Sequence, residues 1–558
     1  MKPDFSFKYN GKKYDYSSFK NNKGVLDDAL TVTLLTNDYS EYDAVEWVMY
    51  FENTGQRNSG IISEIYDCDI SYSIGETPLK KTGFRPEPGN IFVKRMNGMV
   101  DGHHYWENDM VSATEYQFEA IYLPDHVTRK FQNTRGRSSE GTMPFFTLEY
   151  KNKGFVLAVG WTGSWKTEFK REQDTVFVKS GLQKARFYLE PHEKIRTTST
   201  LVMAYSEQDD SVNKFRRLIK NHFSHKACTA ANRDGLMALE FWGGLPSGEM
   251  KKRLEELKNH GVKFEDLWLD AGWYGQCEKC DDPFSGDWSQ NTGDWHVNQR
   301  VHPHELIDVK SAARENNMNM MLWLEPERVT SKTRGYKEHP AWFLSIPDSD
   351  SHILYYGHDE AFDYIFNTVD AYIEKLGMSC FRQDFNTDLK AFLDKNEEEN
   401  REGILEVKHI EGMYKLWDKL LEKHPGLIID NCSGGGRRID IETLKRSIPF
   451  FRSDYQCNFN ENPDVLQTHN TGISNYLPYN GCTSKTKSDT YAIRSSYSSS
   501  WGGAYYNGIT QSMSEDDFAW AKQTSDEYLK IRHYFTMDFY NHGSSVYDDT
   551  AWAIWQYH

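Results

Sequence analysis

Residues 318–326 read MNMMLWLEP, an apolar run that ends in an acid, and the same design recurs along the chain. FEDLWLD (264–270) ends at Asp270, MSCFRQDF (378–385) reaches Asp384, LIIDNCSGG (427–435) ends at Asn431 and Cys432, and IPFFRSDY (448–455) reaches Asp454. Helical patterns stand before them: PSGEMKKRLEELKNHG (246–261), HELIDVKSAARENN (304–317), DEAFDYIFNTVDAYIEKLG (359–377), GILEVKHIEGMYKLWDKLLEKHPG (403–426) and the short IDIETLKRS (439–447). In the first, Met250, Leu254 and Leu257 share one face and Gly261 stops the helix. In the third, Phe362, Ile365, Val369 and Ile373 are in register. Continuously apolar strands alternating with helices predict a parallel sheet buried on both faces. Polar groups gathered at strand C-termini predict a (β/α)8 TIM barrel over 231–535, because that end of a barrel carries the active site. A doubly wound open sheet is the alternative, but no Gly-x-Gly-x-x-Gly follows a strand, and Cys-Ser-Gly-Gly-Gly-Arg lacks the Gly-Lys-Ser/Thr ending of a phosphate loop.

Upstream the style changes. TVTLLTN (31–37), GIISEIYDCDISYSIG (60–75), YQFEAIYL (116–123), FFTLEYKNKGFVLAVGW (145–161) and TVFVKSG (175–181) are short runs of β-branched and aromatic residues broken by turn residues. They predict an N-terminal β-sandwich over 1–205. Residues 206–230 predict a linker helix, with Val212, Phe215, Ile219 and Phe223 at helical spacing behind a capping Ser206. The fold class is therefore multidomain, all-β followed by α/β. Residues 536–558 read as the start of a C-terminal β segment.

The chain has 558 residues and a net charge of −17, which disfavours nucleic acid and anionic membrane surfaces as partners. No run approaches the ~18 apolar residues of a membrane span, and the N-terminus has no apolar h-region, so a cytoplasmic location is expected. The eight cysteines show no disulfide framework, in keeping with a reducing compartment. Cys277-x-x-Cys280 lacks a second ligand pair, so it reads as a loop rather than a metal site. No cofactor or metal is expected.

Acids at neighbouring strand ends are costly unless paired or functional. Asp270, Glu325, Asp384 and Asp454, with Trp273, Trp295, Trp323 and Tyr455 beside them, suggest carbohydrate chemistry, in which two carboxylates flank the scissile bond. The plainer reading of LWLEPERV is structural, with Glu325 or Glu327 pairing an arginine such as Arg328 to shape the barrel mouth. Trp242 ends the first barrel strand and either lines the pocket or fills the core. His103 and His104 read as a surface loop of the sandwich, and Cys482 and Trp501 as late-barrel residues that could face the site.

The ordered set LWLDAGWYG, GDWHVN, LWLEPERV, FRQDFN, DNCSGGGRRID and FRSDY resembles glycoside hydrolase family 36, the α-galactosidase and α-N-acetylgalactosaminidase family, over about 230–535. The resemblance implies a super-sandwich before the barrel and a further C-terminal β domain, which this chain would lack or carry truncated. It implies a retaining exo-α-glycosidase with Asp384 as nucleophile and Asp454 as acid/base, acting on an oligosaccharide or glycoconjugate. Asn386 would touch the sugar 2-position. Cys432, Ser433 and Gly434 would line the 2-hydroxyl side. Asp294 and Trp295 would form a wall of the sugar subsite, and Trp242 and Arg328 would add binding contacts. The family pattern has two aspartates before Gly-Trp; here the pair is Asp270-Ala271. It has lysine two residues before the nucleophile; here it is Arg382, whose planar fork could reach more than one hydroxyl. Terminal α-galactose is therefore the expected substrate, with 2-acetamido- or 2-amino-galactose as the alternative. A transglycosylase and a catalytically silent glycan-binding protein are the other readings. Family members are often homo-oligomers.

Overall fold

Alternation along Trp165–Glu172 turns Trp165, Thr167, Phe169 and Arg171 inward and leaves the intervening residues more exposed. Such alternation marks a strand with one buried face. In the computed structural model, strands of this kind form the N-terminal domain. The structure describes all residues except 28, 76–89, 101–107, 226–233, 280–285, 459, 507, 509–510, 544–546 and 548–549. His103, His104, Cys280 and the end of the expected linker helix lie outside the described residues.

Eight antiparallel strands make the larger sheet, in the order 23–25, 30–39, 44–53, 194–205, 153–160, 142–150, 92–97 and 118–122. A four-stranded sheet (128–132, 165–172, 175–182, 68–73) accompanies it, and buried Trp47, Phe155, Trp165 and Phe169 belong to one shared core. A third sheet ends on Arg401–Glu402, a strand of the barrel domain that pairs with Arg186–Phe187 of the sandwich. The two domains are thus joined through backbone as well as side chains.

The linker helix runs Ser211–Leu218 and continues as a wider turn through Phe223. Its cap is Asp210, which accepts from Asn213 N–H at 3.1 Å, and not Ser206. Ser206 instead closes a turn onto Asp209. Both residue types cap well, so spacing alone did not separate them.

The barrel strands are Met237–Phe241, Asp266–Leu269, Asn319–Leu324, Met378–Gln383, Ile428–Asn431, Gly481–Ser484 and Ser500–Gly503, all parallel. Nearly every residue in them is buried, as both-face coverage requires. The expected strand 448–455 is reduced to a bridge between Ile448 and Asp430. Pro449 has no N–H to donate, so a ladder cannot continue through it. Its carbonyl still accepts from Gly481 N–H at 3.0 Å, and Ile448 exchanges bonds with Ile429 and Asn431 at 2.9 Å. These contacts close the sheet between its two edge strands and complete an eight-membered barrel. Outside it, the predicted helical faces are buried: Met250, Leu254 and Leu257 on Ser247–Asn259, and Phe362, Ile365, Val369 and Ile373 on Asp359–Leu376. Each such side chain contributes on the order of 1.5–3 kcal/mol. Gly377, at φ +60°, ends the second helix. Residues 539–541 and 555–557 pair as a C-terminal hairpin.

A buried ion network fixes the barrel beneath its mouth. Glu327, fully buried, accepts from both terminal nitrogens of Arg438 at 2.5 and 2.8 Å, from Gln383 at 3.0 Å, and lies 2.9 Å from His409 Nε2. Burial alone would raise its pKa, but the Arg438 and His409 partners pull it down to about 2. Arg438→Met would strand this charge, and an unpaired buried charge costs about 3–5 kcal/mol. A urea unfolding midpoint within experimental error of the parent would contradict that expectation.

Candidate active site

Asp384 follows the fourth barrel strand, and its own N–H is tied to Leu324 O at 2.9 Å. Its carboxylate accepts from Phe385 N–H (2.7 Å) and Gly434 N–H (3.0 Å) on one oxygen, and from Asn386 Nδ2 (2.7 Å) and Trp323 Nε1 (3.2 Å) on the other. Burial opposes its charge. The Arg382 guanidinium, the Gly434 N–H, the Asn386 amide and the Cys432 thiol outweigh burial and hold Asp384 below the usual carboxylate range.

Asp454 stands where the sixth segment leaves the barrel. Burial pushes it up to about 6; Arg437, 3.9 Å away, pulls it down, and the charge of Asp384 pushes it up again. The two acids meet at Gly434. Its N–H binds Asp384, and a Cβ added there would lie 3.4 Å from Asp454 Oδ2 and 2.6 Å from Arg437 Nη1. With φ at +55°, position 434 favours glycine on backbone and on space. Cys432 is buried with its sulfur accepting from Gly435 N–H, and Ser433 donates to Phe385 O at 3.1 Å. Asn386, Cys432 and Gly434 therefore gather around Asp384 as expected, while Ser433 braces the backbone.

Three expected binding residues have other work. Arg328 clamps Glu325 through both carboxylate oxygens at 2.7 and 2.6 Å, and Glu325 in turn accepts from Asn386 N–H at 2.6 Å. It acts on the site through Glu325, because a paired guanidinium at the barrel mouth satisfies a carboxylate that burial would otherwise neutralise. Arg382 is nearly enclosed, pairs with Asp430 and lies 4.2 Å over the Trp268 ring and 4.8 Å over Phe451. One arm of its fork is held by Asp430 and its charge acts on Asp384, so it is engaged in part before any hydroxyl arrives. Asp294 is half-buried at the rim, where it accepts from Arg334 N–H at 3.4 Å, and no described contact brings it to the acids.

The aromatic wall is larger than expected. Trp295, 8% exposed, packs on Tyr274 (4.9 Å), Trp323 (6.2 Å) and Trp273 (6.3 Å). Trp242, equally exposed, meets Trp288 edge-on at 6.0 Å, and Trp288 meets Trp323 at 5.9 Å. Trp323 also donates to Asp384, so the wall and the carboxylate are one unit. Tyr455 points away and donates to Asp109. Trp501 packs outside the barrel on Tyr528 and Phe264, and Cys482 is buried beside Tyr455 and Val465.

The sandwich domain braces the Asp454 side. Arg437 donates to Val100 O at 3.0 Å and lies 3.2 Å from Glu140, itself paired with Arg137. Ser453, next to Asp454, donates to Glu115 at 2.6 Å, and Tyr116 donates to Arg452 O at 2.6 Å. Nothing in sequence spacing connects residues 99–140 with 434–454. Glu240 and Asp430 were also missed, although a lone acid inside MALEF or LIIDN was a visible signal. Trp288 and Lys485 gave none.

Comparison with known proteins agrees with this geometry. The Melibiase family model matches residues 196–460. α-Galactosidase Mel36A of Lactobacillus acidophilus is 25% identical over 332 residues, 56% of this chain and 44% of that protein. α-Galactosidase AgaA of Geobacillus stearothermophilus is 24% identical, covering 55% and 44%. The match thus spans under half the length of these curated relatives. Among solved structures, GH36 α-galactosidase AgaB from Geobacillus stearothermophilus superposes with a TM-score of 0.76 at 19% identity, covering 97% of this chain and 77% of that one. A variant of AgaA in complex with stachyose gives 0.74 at 20% identity, covering 92% and 69%. The expected super-sandwich and barrel are therefore the fold of these solved structures, and the Melibiase match falls on residues 196–460, from the last long sandwich strand into the barrel.

Proposed function

We propose that the chain is an exo-acting, retaining α-glycosidase that releases terminal α-linked galactose, with Asp384 as nucleophile and Asp454 as acid/base. The observation that carries this reading is the opposite displacement of two carboxyls that share Gly434 as neighbour: Asp384 is held anionic, Asp454 is held protonated up to about pH 6. Pairs of acids pushed apart in this way are what double displacement needs. Asp384 attacks the anomeric carbon, the glycosidic C–O bond breaks, and the Asp454 proton passes to the leaving oxygen. Asp454, now ionised, takes a proton from water; the hydroxyl bonds to the same carbon and the Asp384 ester breaks. Two inversions keep the α configuration.

Galactose as the substrate is supported by the names of the matched relatives and by stachyose in the AgaA complex. Ala271, where the family pattern has aspartate, favours 2-acetamido- or 2-amino-galactose as the second reading. Proton NMR during hydrolysis of 4-nitrophenyl α-galactoside should show the α-anomer of the sugar first. The β-anomer first would remove Asp384 as nucleophile, and turnover only of the amino-sugar glycosides would replace galactose.

A further inference from the structure

Position 271 is a buried alanine, so the strand that ends at Asp270 offers one carboxyl where the family pattern has two. A second carboxyl nevertheless stands on the neighbouring strand, where Glu240 pairs in register with Trp268, two residues before Asp270. Glu240, on the first barrel strand, is 6% exposed at its side chain, and its charge acts strongly on Asp270. Lys485 immediately follows the Gly481–Ser484 strand, and its Nζ lies 3.9 Å from Glu240 Oε1 with the side chain 7% exposed.

The lysine is placed by construction. Buried Glu461 accepts from Lys485 N–H at 3.1 Å, Thr486 N–H at 3.4 Å, Thr486 Oγ1 at 3.2 Å and the Ser484 hydroxyl, which fixes the turn that carries it. Glu240 and Asp270 together keep the ammonium charged against burial. The ends of strands one, two and seven therefore present two acceptors and one three-fold donor.

We propose that Lys485, held in place by Glu240, is a specificity-determining contact of the −1 subsite, donating to a ring hydroxyl of the galactosyl unit beside Asp270. The assignment rests on the retaining α-galactosidase reading above. It selects a neutral sugar that offers hydroxyl oxygen on this face and disfavours one that brings an ammonium there, since like charges in a low dielectric repel. A hydroxyl read by a charged donor is worth roughly a 10- to 100-fold preference.

The test uses the full chain with 4-nitrophenyl α-galactoside and its 2-, 3-, 4- and 6-deoxy analogues. Lys485→Met should lower kcat/KM on the parent galactoside by roughly 10- to 100-fold, mainly through KM. On the one analogue that lacks the hydroxyl being read, the loss should disappear. Should Lys485→Met fail to fold because Glu240 is left unpaired, the double variant Glu240→Gln/Lys485→Met carries no buried charge at either position and makes the same comparison. An equal loss on the parent and all four analogues, or no loss on any, overturns the contact while leaving the reaction assigned. A wild-type protein inert on every galactoside overturns the reaction and the contact with it.

Discussion

Asp384→Ala is expected to lower kcat on α-galactosides by roughly 10⁴-fold or more, because no other group can form the covalent bond to the sugar. Loss alone would not distinguish a nucleophile from a structural acid. The variant leaves Asn386 Nδ2, Trp323 Nε1 and Gly434 N–H facing the space the carboxylate filled. These donors suit a small anion, so azide should enter and attack the anomeric carbon from the same face. With an activated aryl galactoside the aryloxide leaves, and the product is the β-galactosyl azide, one inversion from substrate. Recovery of turnover with that product identifies the nucleophile. Turnover retained without azide, or an α-configured azide product, would exclude Asp384.

Asp454 has the second large effect, and its signature is pH. In the proposed mechanism the free enzyme reacts with Asp384 ionised and Asp454 protonated. The acid limb of kcat/KM should lie below the ordinary carboxylate range, where Asp384 titrates. The alkaline limb should fall tenfold per pH unit above about 6, where Asp454 loses its proton. In Asp454→Asn the alkaline limb should vanish. Turnover of unactivated oligosaccharide should drop by roughly 10²- to 10⁴-fold, the usual worth of a positioned general acid. Bond cleavage in substrates with strongly acidic leaving groups should suffer much less.

The same displacement makes a stability prediction of fixed sign. Folded Asp454 titrates at about 6 and an unfolded aspartate near 3.9, so between those values the folded state binds more protons. Stability from this group therefore falls as pH rises from 4 to 6 and stays reduced above. Asp454→Asn removes that cost, so it should raise the melting temperature at pH 8 and have little effect at pH 3.5. The gain is on the order of 1–3 kcal/mol, since the side chain retains some solvent contact. A variant destabilised at pH 8 would show that the carboxylate is held by partners rather than strained by burial.

Much of the site was legible before any coordinates, for a local reason. A barrel strand is about six residues long and buried on both faces, so an acid at its C-terminal end stands out against its own neighbours. Asp270, Asp384 and Asp454 were visible in this way, whereas Asn386, Cys432 and Gly434 came to the site only through the resemblance to glycoside hydrolase family 36. Helices were legible through their 3.6-residue faces, and the sandwich strands through alternation. The misreadings came where a side chain could satisfy itself in more than one way. Arg328 and Arg382 carry the right chemistry for binding sugar, yet each found a carboxylate three to forty-eight residues away, Glu325 and Asp430. The strand at 448 shrank because one residue, Pro449, has no proton to give.

The order of elements, the barrel and the acids at its strand ends follow from periodicity and from residue type at short range. How those acids differ from one another depends on contacts made across the fold. Asp384 is anionic because Arg382, Gly434, Asn386 and Cys432 converge on it, and Asp454 holds its proton because burial and Asp384 outweigh Arg437. The fold also brought Glu115, Glu140 and Tyr116 of the sandwich against the Arg437–Asp454 segment, and Lys485 against Glu240. Charge interactions act through space and fall off with distance and dielectric, so what a carboxylate becomes is fixed by which side chains the fold places around it.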